Sequence, residues 1–500
     1  MTSSSDQTPR ERFPNPPGTG WPFESSAGEG PSPRPGDGHD RPTPHAAAAD
    51  IDRTWALPQP FPTSLVGIWP GRDLPSAERV IDLFTRFVGA PVAVIEEIAP
   101  EDDAIEWNRV IAVPGLPSPV IVWTERARAM GPDDLPDPSL ANACWVVGCE
   151  TLLSEQTPLD DFIALMRLLA GSIDQMPAVL DSMTRQWFLR GEIESQFLAD
   201  EPLATEDVLW RVHAIGRAEE LEDEDHVWLY TVGLWRCGKP ELEILELPGK
   251  HVQSGITLLN GIAALAIAAP LPRPGVVAAI GENLRVTFRP WQEVAEFVDV
   301  RSVGSTTDRR IADEPGALNP LMGVRAAVCD PEPRGSFRRI WSWPERAIRL
   351  LEEGRGAIYL SDRSTLQLAR RARSTWNDFA RAFSSVRSII DERLTTERPV
   401  SPPSEDRPAF LVKAAFEHST DPERGREHLW FEIRRVERDA VEGELLNAPQ
   451  VATYLRQGDA VRIDLARVSD WRVILPGGGY GPSGTQALRE AIAEFQRGQR

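Results

Sequence analysis

The chain has 500 residues, of which 41% are hydrophobic and 26% are charged, and its formal net charge is −21. This length predicts about two to four domains, and the hydrophobic content is sufficient for packed cores. Most of the negative charge lies in residues 61–407. We therefore expect neither nucleic acid nor a membrane surface as a partner, because both attract a basic protein surface.

Residues 1–55 are rich in Pro, Gly and Ser and poor in aliphatic side chains. They cannot bury enough apolar surface to offset the entropy of ordering, which predicts a disordered tail. The segment has no apolar run typical of a signal peptide. The four cysteines are few and scattered, which favours buried thiols in a reducing cytoplasm.

Residues 61–200 predict a mixed α/β domain. The helix predicted from Ser76 to Val88 carries its apolar residues on one face and is followed by Gly89. Strand-like runs lie at 63–69, 91–98, 107–113, 120–123 and 143–149.

A second α/β domain is predicted over residues 201–330. It begins with strands at 226–235 and 241–247. The most apolar run, 255–270, contains Asn260 and is shorter than the ~20 residues of a membrane span, so it predicts a buried helix.

The last third of the chain changes character twice. Residues 335–396 predict a helical connector, and residues 397–407 have the composition of a linker. Residues 408–500 predict a small β-rich module closed by a helix from about 483 to 497. Together these patterns predict a multi-domain α+β protein.

Five short blocks in the C-terminal module combine polar, aromatic and glycine residues. They are Glu427–Trp430, Gly443–Pro449, Gly458–Asp459, Ser469–Trp471 and Gly477–Gly481. Because side chains alternate along a strand, we expect His428 and Trp430 to face away from Leu429 and Phe431. Polar groups also gather where strands end. The candidate binding surface is therefore formed by His428, Trp430, Asn447, Asp459, Asp470 and Trp471, unless each of them only satisfies a local turn.

Other chemical patterns are weaker. Glu241 and Glu243 would share one face of a strand, either for acid–base chemistry or, more commonly, as a solvated edge. Glu427, His428, Asp459 and Asp470 match no metal-ligand spacing, and the glycine run 479–484 is followed by too few residues for a βαβ unit. We expect no metal and no cofactor.

The five C-terminal blocks, in this order, resemble a bacterial family known as domain of unknown function 2314, over residues 408–492. Residues 61–330 resemble domain of unknown function 4026, on the segments Trp228–Leu234 and Gly238–Glu243. These resemblances imply the domain layout and a soluble bacterial protein. They imply no activity.

Two hypotheses about function remain open. The first is a non-catalytic protein-binding scaffold, and the acidic body suits a partner with a basic surface. The second is an enzyme that acts on a small polar substrate through carboxylates, with or without a metal. A pocket lined by groups with shifted pKa values would favour the enzyme. A broad exposed apolar patch would favour the binding protein.

Overall fold

The computed structural model describes residues 55–100, 103–127, 135–216, 225–298, 302–306, 309, 323–332, 341–353, 355–358, 362–396, 408–417, 426–449, 452–476, 478–482 and 484–498. These residues form three mostly antiparallel sheets with helices packed against them, which confirms an α+β protein of several domains. The predicted tail, apart from Trp55, and the predicted linker 397–407 lie outside the described residues.

Sheet A is antiparallel throughout and has the strand order β2-β3-β4-β5-β1-β6-β7. Its strands are β1 (Thr63–Ile68), β2 (Ala93–Ile98), β3 (Ile105–Ala112), β4 (Val120–Arg126), β5 (Trp145–Thr151), β6 (Ala178–Asp181) and β7 (Gln186–Leu189). Its helices are α1 (Ala77–Val88), α2 (Pro158–Met166) and the short α3 (Arg190–Ile193). Helix α1 begins where the Ser76 side chain accepts a hydrogen bond from the Arg79 backbone N–H, and it ends at Gly89, whose φ is 71°.

Sheet B has the order β14-β11-β12-β13-β10-β9-β8, in which β10 and β13 are parallel and the other neighbours antiparallel. Its strands are β8 (Arg211–Ile215), β9 (His226–Val232), β10 (Glu241–Pro248), β11 (Val277–Glu282), β12 (Leu284–Pro290), β13 (Arg325–Cys329) and β14 (Ala357–Ile358). Its helices are α4 (Val252–Ala268), α5 (Trp291–Ala295) and α6 (Glu345–Glu352).

Helix α4 is the apolar segment of the sequence. In the part of the chain that the structure describes, Gly249–Ala268 is the one helical stretch long and apolar enough to cross a membrane, and half of it is buried inside the protein. Gly255 faces Leu229 and Leu247 so closely that an added Cβ would lie 2.6 Å from each side chain. Helix α4 therefore packs as the core helix of sheet B.

Sheets A and B share one hydrophobic core, which extends from Trp55 to Ile358. Trp55 lies at the end of the predicted tail, yet it is buried and its indole donates to the Pro272 carbonyl at 2.8 Å. A buried ion pair also joins the sheets, since Arg236 donates to both carboxylate oxygens of Asp181 at 3.0 and 2.8 Å. The two predicted domains, 61–200 and 201–330, thus form one continuous body.

Sheet C forms the C-terminal module and has the antiparallel order β18-β17-β16-β15-β19-β20. Its strands are β15 (Ala409–Glu417), β16 (Arg426–Val436), β17 (Ala440–Leu445), β18 (Ala460–Asp464), β19 (Val468–Leu475) and β20 (Gly478–Tyr480). Its helices are α7 (Asp362–Ser374), α8 (Trp376–Thr396) and α9 (Thr485–Gly498), of which α9 is the predicted closing helix.

Helices α7 and α8 belong to the core of this module. Trp376, Phe379 and Phe383 are buried in the same cluster as Phe410 and Trp471 of the sheet. The ring centroids of Phe379 and Trp471 are 5.6 Å apart.

The predicted helical connector 335–396 is therefore divided between the two bodies. Strand β14 is an edge strand of sheet B, and helix α6 packs into the core beside that sheet. Helices α7 and α8 instead cover sheet C. The sequence pattern identified these helices but not the sheets against which they pack.

This division predicts how fragments behave. Residues 362–499 should melt cooperatively by circular dichroism, because the fragment keeps the aromatic cover of sheet C. Residues 408–499 should give a broad transition or an insoluble product, because the fragment exposes the face that carries Phe410 and Trp471. A sharp melt of the shorter fragment at the same midpoint would show that the helices are dispensable.

Candidate functional site

One face of sheet C carries three of the six candidate residues, namely His428, Trp430 and Asp470. On β16, Leu429, Phe431 and Ile433 are buried in the core beneath the helices, so His428 and Trp430 face the opposite side. We call this side the outer face of sheet C and define it by Lys413, His428, Trp430, Asp470 and Arg472. The predicted alternation of this strand is present in the structure.

Strand register places Lys413 at the centre of the outer face. It lies directly opposite Trp430 on β16 and Asp470 on β19. Its ammonium group lies 5.6 Å from the centroid of the Trp430 ring, within the range of a cation–π contact, and the side chain is buried. The indole therefore covers the lysine and shields it from water.

Burial shifts the pKa values of this lysine and its acidic neighbour in opposite directions. Desolvation lowers the pKa of Lys413 to about 8, against the opposing charge of Asp470. Desolvation also raises the pKa of Asp470, although the cations of Arg472 and Lys413 act against the shift. Both shifts bring the two groups closer to neutrality at physiological pH.

A β-bulge brings Ser469 to His428. Asp470 pairs with Lys413, and Val468 pairs with the next residue, Ala414, so Ser469 is the extra residue of the bulge. The Ser469 hydroxyl donates to the Lys413 carbonyl at 3.3 Å and lies 2.6 Å from His428 Nδ1. Because a hydroxyl has only one proton, Nδ1–H must donate to Ser469, and Nε2 is then the acceptor nitrogen.

The same environment keeps His428 neutral. Burial, together with the positive charges of Lys413 and Arg426, lowers the pKa of His428 to about 4. The outer face thus combines a neutral imidazole, a shielded lysine and a carboxyl group in one row across β16, β15 and β19.

The remaining C-terminal candidates do not join this row as functional side chains. Asn447 Oδ1 accepts from the Trp430 backbone N–H at 2.9 Å and so fixes the loop beside the indole. Asp459 Oδ2 accepts from the Arg456 backbone N–H at 2.7 Å, within a turn. Trp471 faces the helices, is fully buried and donates to the Ala372 carbonyl at 3.1 Å.

Sequence reasoning missed Lys413 and gave Ser469 no role. A visible signal for Lys413 was its position in the otherwise apolar run Phe410–Phe416, where a buried cation needs a partner. Ser469 has no comparable signal, because a bulge depends on the register of two strands separated by about fifty residues of chain.

Glu241 and Glu243 occupy a different environment from the solvated edge that was expected. Strand β10 is an interior strand between β13 and β9, and both carboxylates are buried. Glu241 accepts from the Thr231 hydroxyl at 2.6 Å and from the Gly233 backbone N–H at 2.7 Å. The edge interpretation is wrong because β13, the neighbour that covers β10, lies about eighty residues further along the chain.

Glu243 is neutralised by a stacked guanidinium group. Arg309 donates to both of its carboxylate oxygens, at 2.9 and 2.8 Å, and Trp228 donates to one of them at 3.1 Å. The guanidinium carbon of Arg309 lies 4.6 Å from the ring centroids of both Trp228 and Trp291. Glu243 therefore holds Arg309 against the face of sheet B that carries Trp228.

No three His, Cys, Asp or Glu side chains gather closely enough for a metal ion within the described ranges. Glu427, one of the residues considered for such a site, instead accepts from the Ala452 backbone N–H at 2.8 Å. It fixes the loop that precedes β18.

The Glu243–Arg309 pair gives a stability prediction. Glu243→Gln leaves a buried guanidinium without a counter-charge and should lower the free energy of unfolding by about 3–5 kcal/mol. The double variant Glu243→Met/Arg309→Met should recover most of this loss, as measured by urea denaturation. The exposed pair Glu353–Arg355 is the control, and Glu353→Gln should change stability by less than about 1 kcal/mol. Equal effects of Glu243→Gln and Glu353→Gln would contradict the assignment.

His428 gives a pH prediction. The pKa of His428 is lower in the folded protein than in the unfolded chain, so the unfolded chain binds the proton more readily. The stability that the neutral imidazole contributes is therefore present above about pH 6.5 and is lost as the pH falls towards 4. In a histidine NMR titration, the imidazole signal that disappears in His428→Asn should not titrate between pH 7 and 5. A midpoint near the ordinary value of 6.5 would refute the buried neutral imidazole.

Comparison with protein families matches two regions of the chain. Residues 362–499 match the family described as an uncharacterized protein conserved in bacteria, domain of unknown function 2314. Residues 212–317 match the C-terminal part of the family of unknown function 4026. Comparisons with curated proteins and with solved structures give no match. The first region begins at the start of helix α7, so it coincides with the module that the structure forms. Both resemblances predicted from the sequence are confirmed, the second over residues 212–317 of the predicted 61–330.

Proposed function

We propose that this protein is a non-catalytic binding protein and that the outer face of sheet C recognises another protein. The observation that carries the proposal is the half-buried Trp430 above Lys413, held in place by the hydrogen bond from its backbone to Asn447. A rigid indole with polar neighbours is the type of side chain that dominates protein interfaces.

The shape of the surface supports binding over the enclosure of a small substrate. The two best-formed depressions among the described residues have volumes of about 200 and 180 Å³. Sites for small molecules usually enclose about 300–1,000 Å³. One depression lies over helix α6 and the other beside helix α1, and neither includes the outer face of sheet C.

The character of the buried acids also supports the proposal. Glu241 and Glu243 are fully engaged inside sheet B and out of contact with solvent. An enzyme that used them would first have to break buried charge-assisted hydrogen bonds. Their arrangement suits a structural role in a scaffold.

The alternative is an enzyme that acts on a small polar substrate, and one observation favours it. Asp470 and Lys413 are cross-strand neighbours whose pKa values shift towards each other, as in proton-transfer pairs. Asp470→Asn separates the two functions. It should leave partner binding within about 3-fold of wild type if the face only binds, because the amide keeps the shape of the side chain.

The location of the protein is part of the proposal. Cys144, Cys149, Cys237 and Cys329 are all free thiols, and the last three are buried. Unpaired cysteines are typical of a reducing cytoplasm, and this supports a cytoplasmic location.

A capture experiment tests the proposed surface. Full-length wild type, Trp430→Ala and Tyr454→Ala are immobilised side by side and exposed to native cell extract. Tyr454 is 56% exposed and is the matched aromatic control. A partner that binds wild type and Tyr454→Ala should bind Trp430→Ala at least about 10-fold more weakly. Equal retention by all three proteins would overturn the proposal.

A further inference from the structure

Strand β2 is an exposed edge of sheet A. It is the first strand in the order of the sheet, and within the described residues it pairs only with β3. Five of its six residues are exposed, and the sixth, Ile98, is half-buried. Its free side therefore presents backbone N–H and C=O groups to solvent.

Apolar side chains accompany this open edge. Val94 is 47% exposed and Ile95 is 57% exposed, although both are apolar residues of β2. Exposed β-branched residues on an unpaired strand favour the addition of a further strand. Among the described residues, no element covers these two side chains as fully as other elements cover most apolar side chains of sheet A.

The charge on β2 is negative. Glu96 and Glu97 lie on this strand, and none of its six residues is basic. Two cations come from neighbouring strands, since Arg109 lies 3.2 Å from Glu97 and Arg126 lies 4.0 Å from Glu106. Glu97 remains 71% exposed despite its partner. The acidic edge is therefore complementary to a basic segment.

A second copy of this chain is a poor occupant of the edge. Val94 pairs with Ile111 and Glu96 with Val110, so Ile95 is the extra residue of a bulge that distorts the edge. Pairing of two β2 strands would also bring Glu96 and Glu97 of each copy together, and like charges across strands destabilise a sheet. The charge repulsion opposes self-association but not a basic partner strand, which has to follow the bulge at Ile95.

We propose that β2 accepts an extended segment of another protein as an eighth strand of sheet A. The segment carries Lys or Arg where it meets Glu96 and Glu97, and apolar side chains where it meets Val94 and Ile95. Backbone hydrogen bonds would supply the affinity, and the two glutamates would select for positive charge. This surface is separate from the outer face of sheet C, and the inference does not depend on the function proposed for that face.

Synthetic peptides test the edge in the full-length protein. The probe is a fluorescein-labelled 12-residue peptide of Lys-Lys-Val-Val repeats, whose paired basic and paired apolar residues match Glu96-Glu97 and Val94-Ile95. The first control replaces every Lys with Glu, and the second keeps every Lys but has Pro at alternate apolar positions, which prevents strand pairing. By fluorescence anisotropy, the probe should bind at least about 10-fold more tightly than either control. Hydrogen exchange should slow within residues 93–98.

A pair of charge-reversal variants locates the binding site. Glu96→Lys/Glu97→Lys should weaken binding of the probe at least about 10-fold. Glu296→Lys/Glu494→Lys makes the same change in net charge at two other exposed positions, Glu296 just after α5 and Glu494 on α9. This variant should leave binding within about 2-fold of wild type. All four positions are exposed, so the fold should persist, and a thermal melt verifies this. Trp430→Ala should bind the probe as wild type does.

Several outcomes would overturn the inference. Equal binding of the proline-containing peptide would show attraction by charge alone, without an added strand. Unchanged binding by Glu96→Lys/Glu97→Lys would place the site elsewhere. Slow exchange at 93–98 without any peptide would identify another occupant, either a second copy if it depends on protein concentration or residues 1–54 if their deletion abolishes it.

Discussion

The structure depends on one electrostatic constraint, which is that a carboxylate removed from water must be neutralised where it is buried. The effective cost of burying such an ion is several kcal/mol, and well-oriented partners offset it. Asp181 meets this constraint with Arg236 of the turn between β9 and β10, and both side chains are completely buried. Glu243 meets it with Arg309. The first pair joins the parts of the chain that form sheets A and B, and the second fixes Arg309 to sheet B.

The C-terminal module meets the same constraint differently. Its buried lysine lies under an indole and beside a carboxyl group, and neither ionisable group keeps its ordinary pKa. Because this row lies on a sheet face away from the helices, its polar groups are near the surface and not inside a shared core. The body uses its central charges for cohesion, whereas the module keeps Lys413 under the half-buried Trp430 on one face of its sheet.

Local patterns were sufficient to predict much of the module. The period-two alternation of β16 correctly separated His428 and Trp430 from Leu429 and Phe431, and the apolar spacing predicted helix α9. Asp459 and Trp471 could not be separated from the site by sequence. The side to which Trp471 points depends on the register of β19 and on the position of α7, which are both set by contacts distant in sequence.

Non-local contacts also explain the errors in the body. Alternating Glu and apolar residues in β10 are typical of an edge strand, and only the late strand β13 makes β10 an interior one. Likewise, helices α6 and α7 are adjacent in sequence and similar in pattern, yet they cover different sheets. Amphipathic periodicity shows that a helix needs a partner, but it does not identify the partner.

The central claim is that the acids in the middle of the sheets are structural and that the accessible acids lie at edges and outer faces. Carbodiimide-activated carboxyl labelling of the native full-length protein, read by mass spectrometry, tests this most directly. Asp181, Glu241 and Glu243 should be labelled at least about 10-fold more slowly than Glu96 and Glu97, because labelling of the buried groups requires local opening. Labelling of Glu241 or Glu243 as fast as that of Glu97 would contradict the claim, since it would place an accessible carboxylate in the middle of sheet B.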